Sequence, residues 1–169
     1  MADSVDPQPQ LPVEIRLAED VDHPAILRLF RDGILEGQLR SNDTGADIEF
    51  LREGYFSDDG ASAFWVACND DLVVGMIGVQ MTKENQAEIR RLRVDPNHRR
   101  QGIGTALLTH AIEFCRERGY LKVILDVRIE RAPAIAMFEK MGFTLARTRQ
   151  MSDQRVHEFY LDLYREPQS

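Results

Sequence analysis

Arg99, Arg100, Gln101, Gly102, Ile103 and Gly104 stand together in a basic, glycine-punctuated turn. Directly after it, Ile103, Leu107, Leu108, Ala111, Ile112 and Cys115 recur at the spacing of one helix face. The first turn of a helix carries amide hydrogens without intrahelical partners, and the helix dipole adds partial positive charge there. Glycines at 102 and 104 let an anion approach the backbone, and Arg99 and Arg100 add two fixed charges beside it. The pattern suits a pyrophosphate. It is not a lysine-bearing phosphate loop, because no Gly-x-x-x-x-Gly-Lys occurs. Nor is it a dinucleotide fingerprint, which would need a glycine where Leu107 stands.

The elements around this turn must position it. Residues 86–94 alternate as a strand, and Asp95-Pro96-Asn97-His98 ends the strand before the turn. The helix stops at Arg116-Glu117-Arg118-Gly119, with cations in its last turn and glycine just past it. Residues 122–127 form an apolar strand buried on both faces, so strand, helix and strand imply a parallel crossover. Upstream, residues 13–17 alternate as a first strand. A helix follows over 23–37 with Ile26, Leu27, Phe30 and Ile34 inward, then a polar connection over 38–45 and a second helix over 47–55. Residues 63–68 and 72–81 form strands joined by Asn69-Asp70-Asp71, which makes 63–94 an antiparallel meander. A short helix over 132–141, with Pro133 in its first turn, precedes a hairpin of 143–151 and 156–163 around Ser152-Asp153-Gln154-Arg155.

The turn reads Arg-x-x-Gly-x-Gly, preceded by Leu92-Arg93-Val94-Asp95-Pro96 and followed later by Met141-Gly142-Phe143. These stretches resemble the acetyl-coenzyme A signature of the Gcn5-related N-acetyltransferases (GNAT). The resemblance spans 13–163 and implies an α/β (α+β) single-domain fold: a mixed, mostly antiparallel central sheet flanked by helices. Residues 1–12 read as a disordered, proline-rich lead, and 13–165 as the acetyltransferase domain. In the family the central strand and the next parallel strand splay apart, and coenzyme A lies between them.

The resemblance implies an acetyl-CoA-dependent N-acetyltransferase acting on a primary amine by direct attack. It gives the pyrophosphate to Gly102, Ile103, Gly104 and Thr105, with Arg99, Arg100 and Gln101 at the same turn. It gives the pantetheine arm to Leu92, Arg93 and Val94, with the Leu92 backbone amide aimed at the thioester oxygen. Glu88 stands where several relatives place a glutamate base; its other reading is a solvent-facing partner of Arg90. Relatives carry Asn-x-x-Ala-x-x-x-Tyr-x-Lys-x-Gly-Phe, and this chain has Arg131, Ala134, Phe138, Lys140, Gly142 and Phe143 at those positions. Arg131 removes an asparagine that often bonds the pantetheine arm. Phe138 replaces a tyrosine that protonates the leaving thiolate, so it packs against coenzyme A or the core. A coenzyme A-binding sensor without turnover is the second reading.

Composition sets further bounds. The chain of 169 residues is 43% hydrophobic, a globular composition. A net charge of −7 argues against nucleic acid as a general partner. Cys68 and Cys115 do not suggest a disulfide scaffold, no apolar run approaches membrane-spanning length, and no signal peptide is expected before residue 13. A cytoplasmic protein with no membrane partner follows as the expectation. His23, His98, His110 and His157 lack metal-ligand spacing, so no metal is assigned. Asp43, Asp47, Asp58 and Asp59 lie near the acceptor side, either as solvated loop residues or as an attraction for a cationic substrate. The acceptor, a small molecule or a peptide, is not named by the sequence, and a homodimer is common among relatives.

Overall fold

The structure, a computed structural model, describes residues 13–35, 43–151 and 154–164. The expected lead over 1–12, the end of the helix at 36–37, the connection over 38–42, the turn at 152–153 and residue 165 lie outside the described residues. So does the side chain of Ile34.

Strands β1 (Glu14–Leu17), β2 (Ala63–Asn69), β3 (Leu72–Lys83), β4 (Gln86–Val94), β5 (Lys122–Arg128), β6 (Thr144–Met151) and β7 (Gln154–Asp162) form one sheet. Their order is β1-β2-β3-β4-β5-β7-β6. All ladders are antiparallel except β4–β5, as the crossover required. Helices α1 (His23–Leu35), α2 (Ala46–Glu49) and α3 (Leu51–Tyr55) cover one face, and α4 (Ile103–Glu117) and α5 (Ala132–Lys140) belong to the other.

Strand β2 shows why both faces hold. Phe64 and Val66 pack with Ile26, Leu29, Ile48 and Tyr55 of α1 to α3. Trp65 and Ala67 point the other way and join Leu107, Leu108, Ala111 and Cys115 of α4. Period-two alternation therefore feeds two cores, and six successive residues of β2 are buried. The β2–β3 turn is the two-residue link Asp70-Asp71, with Asp70 at φ 53°, the backbone sign that tight hairpins need.

The single helix expected over 47–55 is two helices. The chain breaks at Phe50 (φ −114°, ψ 65°) and folds α3 back against α2. Gly54 permits that approach: a Cβ there would stand 3.1 Å from the Asp47 carbonyl oxygen. Strands β3 and β7 also extend beyond the expected limits, to Lys83 and back to Gln154.

The sheet parts in the middle. Strand β4 pairs with β5 only where Gln86, Ala87 and Glu88 meet Lys122, Val123 and Ile124. From Leu125 to Arg128, β5 stays on β7, while β4 stays on β3 as far as Val94. A cleft opens between them, lined by Glu88 to Arg93 on one wall and by Leu125 to Arg128, Arg131 and Phe138 on the other.

Candidate active site

Strand β4 changes face halfway along. Ala87 and Ile89 pack into the core under α4, and so do Leu92 and Val94. The spacing of three between Ile89 and Leu92 cannot occur in a regular strand. The register explains it: Gly78 pairs with Arg90 and Met76 with Arg93, so Arg91 and Leu92 together oppose Ile77. This is a β-bulge, and Arg91 takes φ 61° within it. Arg90 and Arg91 thereby both face α2 and α3, while Leu92 returns to the α4 side. The core packing expected of the Leu92 and Val94 side chains exists because of the bulge.

Arg91 is held hard in place. Its guanidinium donates to Asp43 at 2.5 and 2.8 Å and to Asp47 at 2.5 and 3.0 Å. The Tyr55 hydroxyl donates to Asp47 at 2.6 Å, and the Phe30 ring lies 5.1 Å from the guanidinium carbon. All three charged side chains are buried, at 4% exposure for Arg91, 7% for Asp43 and 9% for Asp47. A left-handed φ at a long side chain costs about 1–3 kcal/mol, and such strain persists only where the surroundings fix it. This corrects the expectation for Asp43 and Asp47. They are not solvated loop charges: Arg91 pairs with both, and Asp43 also borders the cleft.

Burial pushes the Asp43 and Asp47 carboxyls up, but the hydrogen bonds and charge of Arg91 outweigh it and hold both below the ordinary value of 3.8. Carboxyls depressed in the folded state stabilise it fully above that ordinary value. The contribution is lost as pH falls through 3.8 toward the lower folded values. We expect Asp43→Asn to be less stable than the wild type at neutral pH, and the two thermal midpoints to converge as the buffer is taken below about pH 4. Calorimetric scans of both proteins across that range check it. A constant gap would remove the Asp43 carboxylate from acid sensitivity.

Beyond β4 the chain makes the basic turn. Asp95 caps it, accepting from the Asn97 amide at 2.9 Å. Arg100 and Gly102 take φ 63° and φ 80° on either side of Gln101. Turn backbone with left-handed residues is the kind from which an anion-binding nest of amides is built. Gly102 is the residue before the first turn of α4 and offers no side-chain cap. Arg99, Arg100, Gly102 and Thr105 are exposed, Gln101 and Gly104 half-buried, and Ile103 buried in the core. A Cβ at Gly104 would find only Met137 Sδ at 3.6 Å and Val94 Cγ2 at 3.7 Å, so space remains over the helix start. The fit to a pyrophosphate is good: open backbone, a helix N-terminus and two exposed arginines.

Glu88 lines the cleft at the point where β4 leaves β5. Its carboxylate is 3.3 Å from Arg90 Nε, the partner expected for it. Arg90 also donates to Gln80 at 2.8 Å. Arg131 lines the opposite wall and precedes α5 without capping it, since a guanidinium cannot accept a hydrogen bond. Ala134 packs against the α4 core. Phe138 is buried at 5% exposure, with its ring edge-on to Phe143 at 5.9 Å and tilted to Phe159 at 6.4 Å, and still borders the cleft. The structure therefore brings Glu88, Leu92, Arg93, Arg131 and Phe138 to one cleft. The Arg99 to Thr105 turn lies past the end of β4, after Val94. Sequence reading missed Arg91 with its two carboxylates. The signal was present in the apolar positions 87, 89, 92 and 94, whose period slips by one at the bulge.

A seven-stranded mixed sheet, split between its parallel middle strands beside a basic helix N-terminus, defines an acetyltransferase fold. Residues 31–143 match the model of the acetyltransferase (GNAT) family, and the chain belongs to that family. It is similar to N-acetyltransferase 8 of Homo sapiens, 38% identical over 102 residues, which is 57% of this chain and 44% of that protein. The chain spans about half the length of the curated relatives it matches. Its fold is similar to a GCN5-related N-acetyltransferase from Kribbella flavida, with a TM-score of 0.79 at 23% identity over 92% of this chain and 100% of that one. It is also similar to yncA from Salmonella typhimurium, solved with its cofactor acetyl-CoA: TM-score 0.74, 18% identity, 94% and 98% covered. Among the described residues no helix is long and apolar enough to cross a membrane.

Proposed function

We propose that the chain transfers the acetyl group of acetyl-CoA to a primary amine by direct attack. One observation carries the reading: β4 parts from β5 after Glu88, and its freed edge runs from there through Val94 toward the basic turn before α4. An extended pantetheine arm can add to that edge as a strand would, which gives Leu92, Arg93 and Val94 the arm. The nest of Arg99 to Gly102, with Ile103 to Thr105 opening α4, takes the pyrophosphate. Ala134 and Arg131 border the same groove. Acetyl-CoA supplies the activated acyl group, and yncA, which shares the fold, was solved with it.

The residues then divide the work. A lysine-like acceptor of pKa ~10.4 is mostly protonated at neutral pH, so a proton must be removed before nitrogen can attack. Glu88 takes it, directly or through water. As the nitrogen–carbon bond forms, charge grows on the carbonyl oxygen, and the Leu92 amide stabilises it. When the carbon–sulfur bond breaks, the nitrogen gives up its second proton to leave the neutral amide and the thiolate gains one, through water or another side chain, since Phe138 has none to give. Direct attack is supported by the thiols. Burial raises the Cys68 pKa and pushes Cys115 up to about 12, so neither suits an acyl-enzyme step. Two free, buried thiols also favour a reducing, cytoplasmic setting.

A thiol-release assay with acetyl-CoA and a panel of small and peptide amines tests the proposal. Acceptor-dependent release is expected. Coenzyme A binding with no release across the panel would instead favour a sensor, the reading to which Phe138 lends weight. Phe138→Tyr decides how far. The added hydroxyl sits at the cleft border, and we expect turnover to be kept or raised. A fall of orders of magnitude at normal acetyl-CoA affinity would mean that Phe138 acts by its packing against Phe143 and Phe159.

A further inference from the structure

The geometry points to Asp43 and Asp47 as positioning residues that act through Arg91, clamping the β4 bulge in the conformation that aims the Leu92 amide into the cleft. This rests on the role proposed above for that amide. Three observations carry it. Leu92 is the second residue of the bulge, so its direction depends on the left-handed backbone of Arg91. The ladder to β5 has already ended at Glu88, so at the bulge β4 has backbone support from β3 alone. The missing lateral support comes from the side chain: one guanidinium makes four hydrogen bonds to two carboxylates, one at the start of the 43–49 segment and one within α2. Tyr55 and Phe30 fix this clamp from α3 and α1. The helices over this face thus set the geometry of a backbone donor in β4 itself.

A structural ion pair alone would affect stability and leave the chemistry of folded enzyme unchanged. Two variants separate the cases. Asp43→Asn removes one carboxylate and leaves Arg91 on Asp47. The neutral set Asp43→Asn, Asp47→Asn and Arg91→Met removes charge from both sides and leaves no buried ion unpaired. Each is compared with wild type in kcat, in acceptor KM, in acetyl-CoA affinity by calorimetry, and in the infrared carbonyl band of bound acetyl-CoA labelled with carbon-13 at the thioester. In the wild type the bound band should lie below that of free acetyl-CoA. In the variants we expect kcat to fall about 10- to 100-fold, affinity to hold, and the band to move back toward the free position. A folded Asp43→Asn with wild-type kcat and an unmoved band overturns the clamp while leaving the acetyltransferase reading intact. A kcat loss with the band unmoved also overturns it. A wild type that turns over without any band shift removes the Leu92 amide from the mechanism, and the clamp with it.

Discussion

Gly102→Asp is expected to abolish acetyl-CoA binding, by at least about 100-fold, or near 3 kcal/mol. Gly102 is exposed at φ 80°, at the mouth of the backbone nest between Arg100 and the first turn of α4. A carboxylate there meets the pyrophosphate with like charge and draws Arg99 and Arg100 away from it. Gly104→Asp should act the same way from inside the helix. The fold should survive both. Aspartate tolerates the left-handed region better than most residues, and an acidic residue in the first turn complements the helix dipole. Gly104→Ala is the control, because its methyl group would meet atoms no closer than 3.6 Å. It should keep its fold and lose far less affinity than Gly104→Asp. Calorimetry with acetyl-CoA, alongside thermal scans, reads all three. Unchanged affinity in either aspartate variant would move the cofactor away from this turn.

Turnover should fall by about 10²-fold or more at neutral pH in Glu88→Gln, the scale for removing a general base. Glutamine keeps the size and hydrogen bonding but cannot take the proton. Acetyl-CoA affinity should hardly change, because Glu88 stands where β4 leaves β5 and the nest lies beyond Val94. The deficit should shrink as pH rises toward the acceptor's pKa of ~10.4, where the amine deprotonates unaided. The acid limb of the wild-type pH–rate profile should weaken in the variant. The ion pair with Arg90 at 3.3 Å defines the opposing expectation. If pairing were the whole role of Glu88, the variant would lose a little stability and keep its rate, since a partly exposed pair is worth ~1 kcal/mol or less. Equal turnover at pH 7 would leave water or a residue of the β6–β7 hairpin as the proton acceptor.

Much of the molecule was legible in the chain alone. The meander, the basic turn, α4, the crossover and the final hairpin follow from local signals: period-two alternation, period 3.6, and turn residues at Asp70, Pro96, Gly119 and Gly142. The proposed anion site was equally legible, because the groups proposed for it are backbone amides and its requirement, glycines before a helix, is written in six consecutive residues. The departures at Arg131 and Phe138 were visible for the same reason. Harder to read were features in which two distant segments share one space. The break at Phe50 is set by how closely Gly54 can approach Asp47.

The tertiary structure alone decided the rest. The run of arginines at 90, 91 and 93 reads as a basic strand, yet Arg91 is buried, because Asp43 and Asp47 come to it from more than forty residues away in sequence. Their attraction holds a strained residue that lets β4 change face, and that change returns Leu92 to the α4 side while Arg90 and Arg91 stay on the side of α2. The splay of β4 from β5 is likewise beyond local pattern: both strands keep their alternation, and only their separate allegiance to β3 and β7 pulls them apart. Periodicity assigns a residue to a face of its own strand, whereas the cleft exists because two such strands, each satisfied on its outer side, need not stay together.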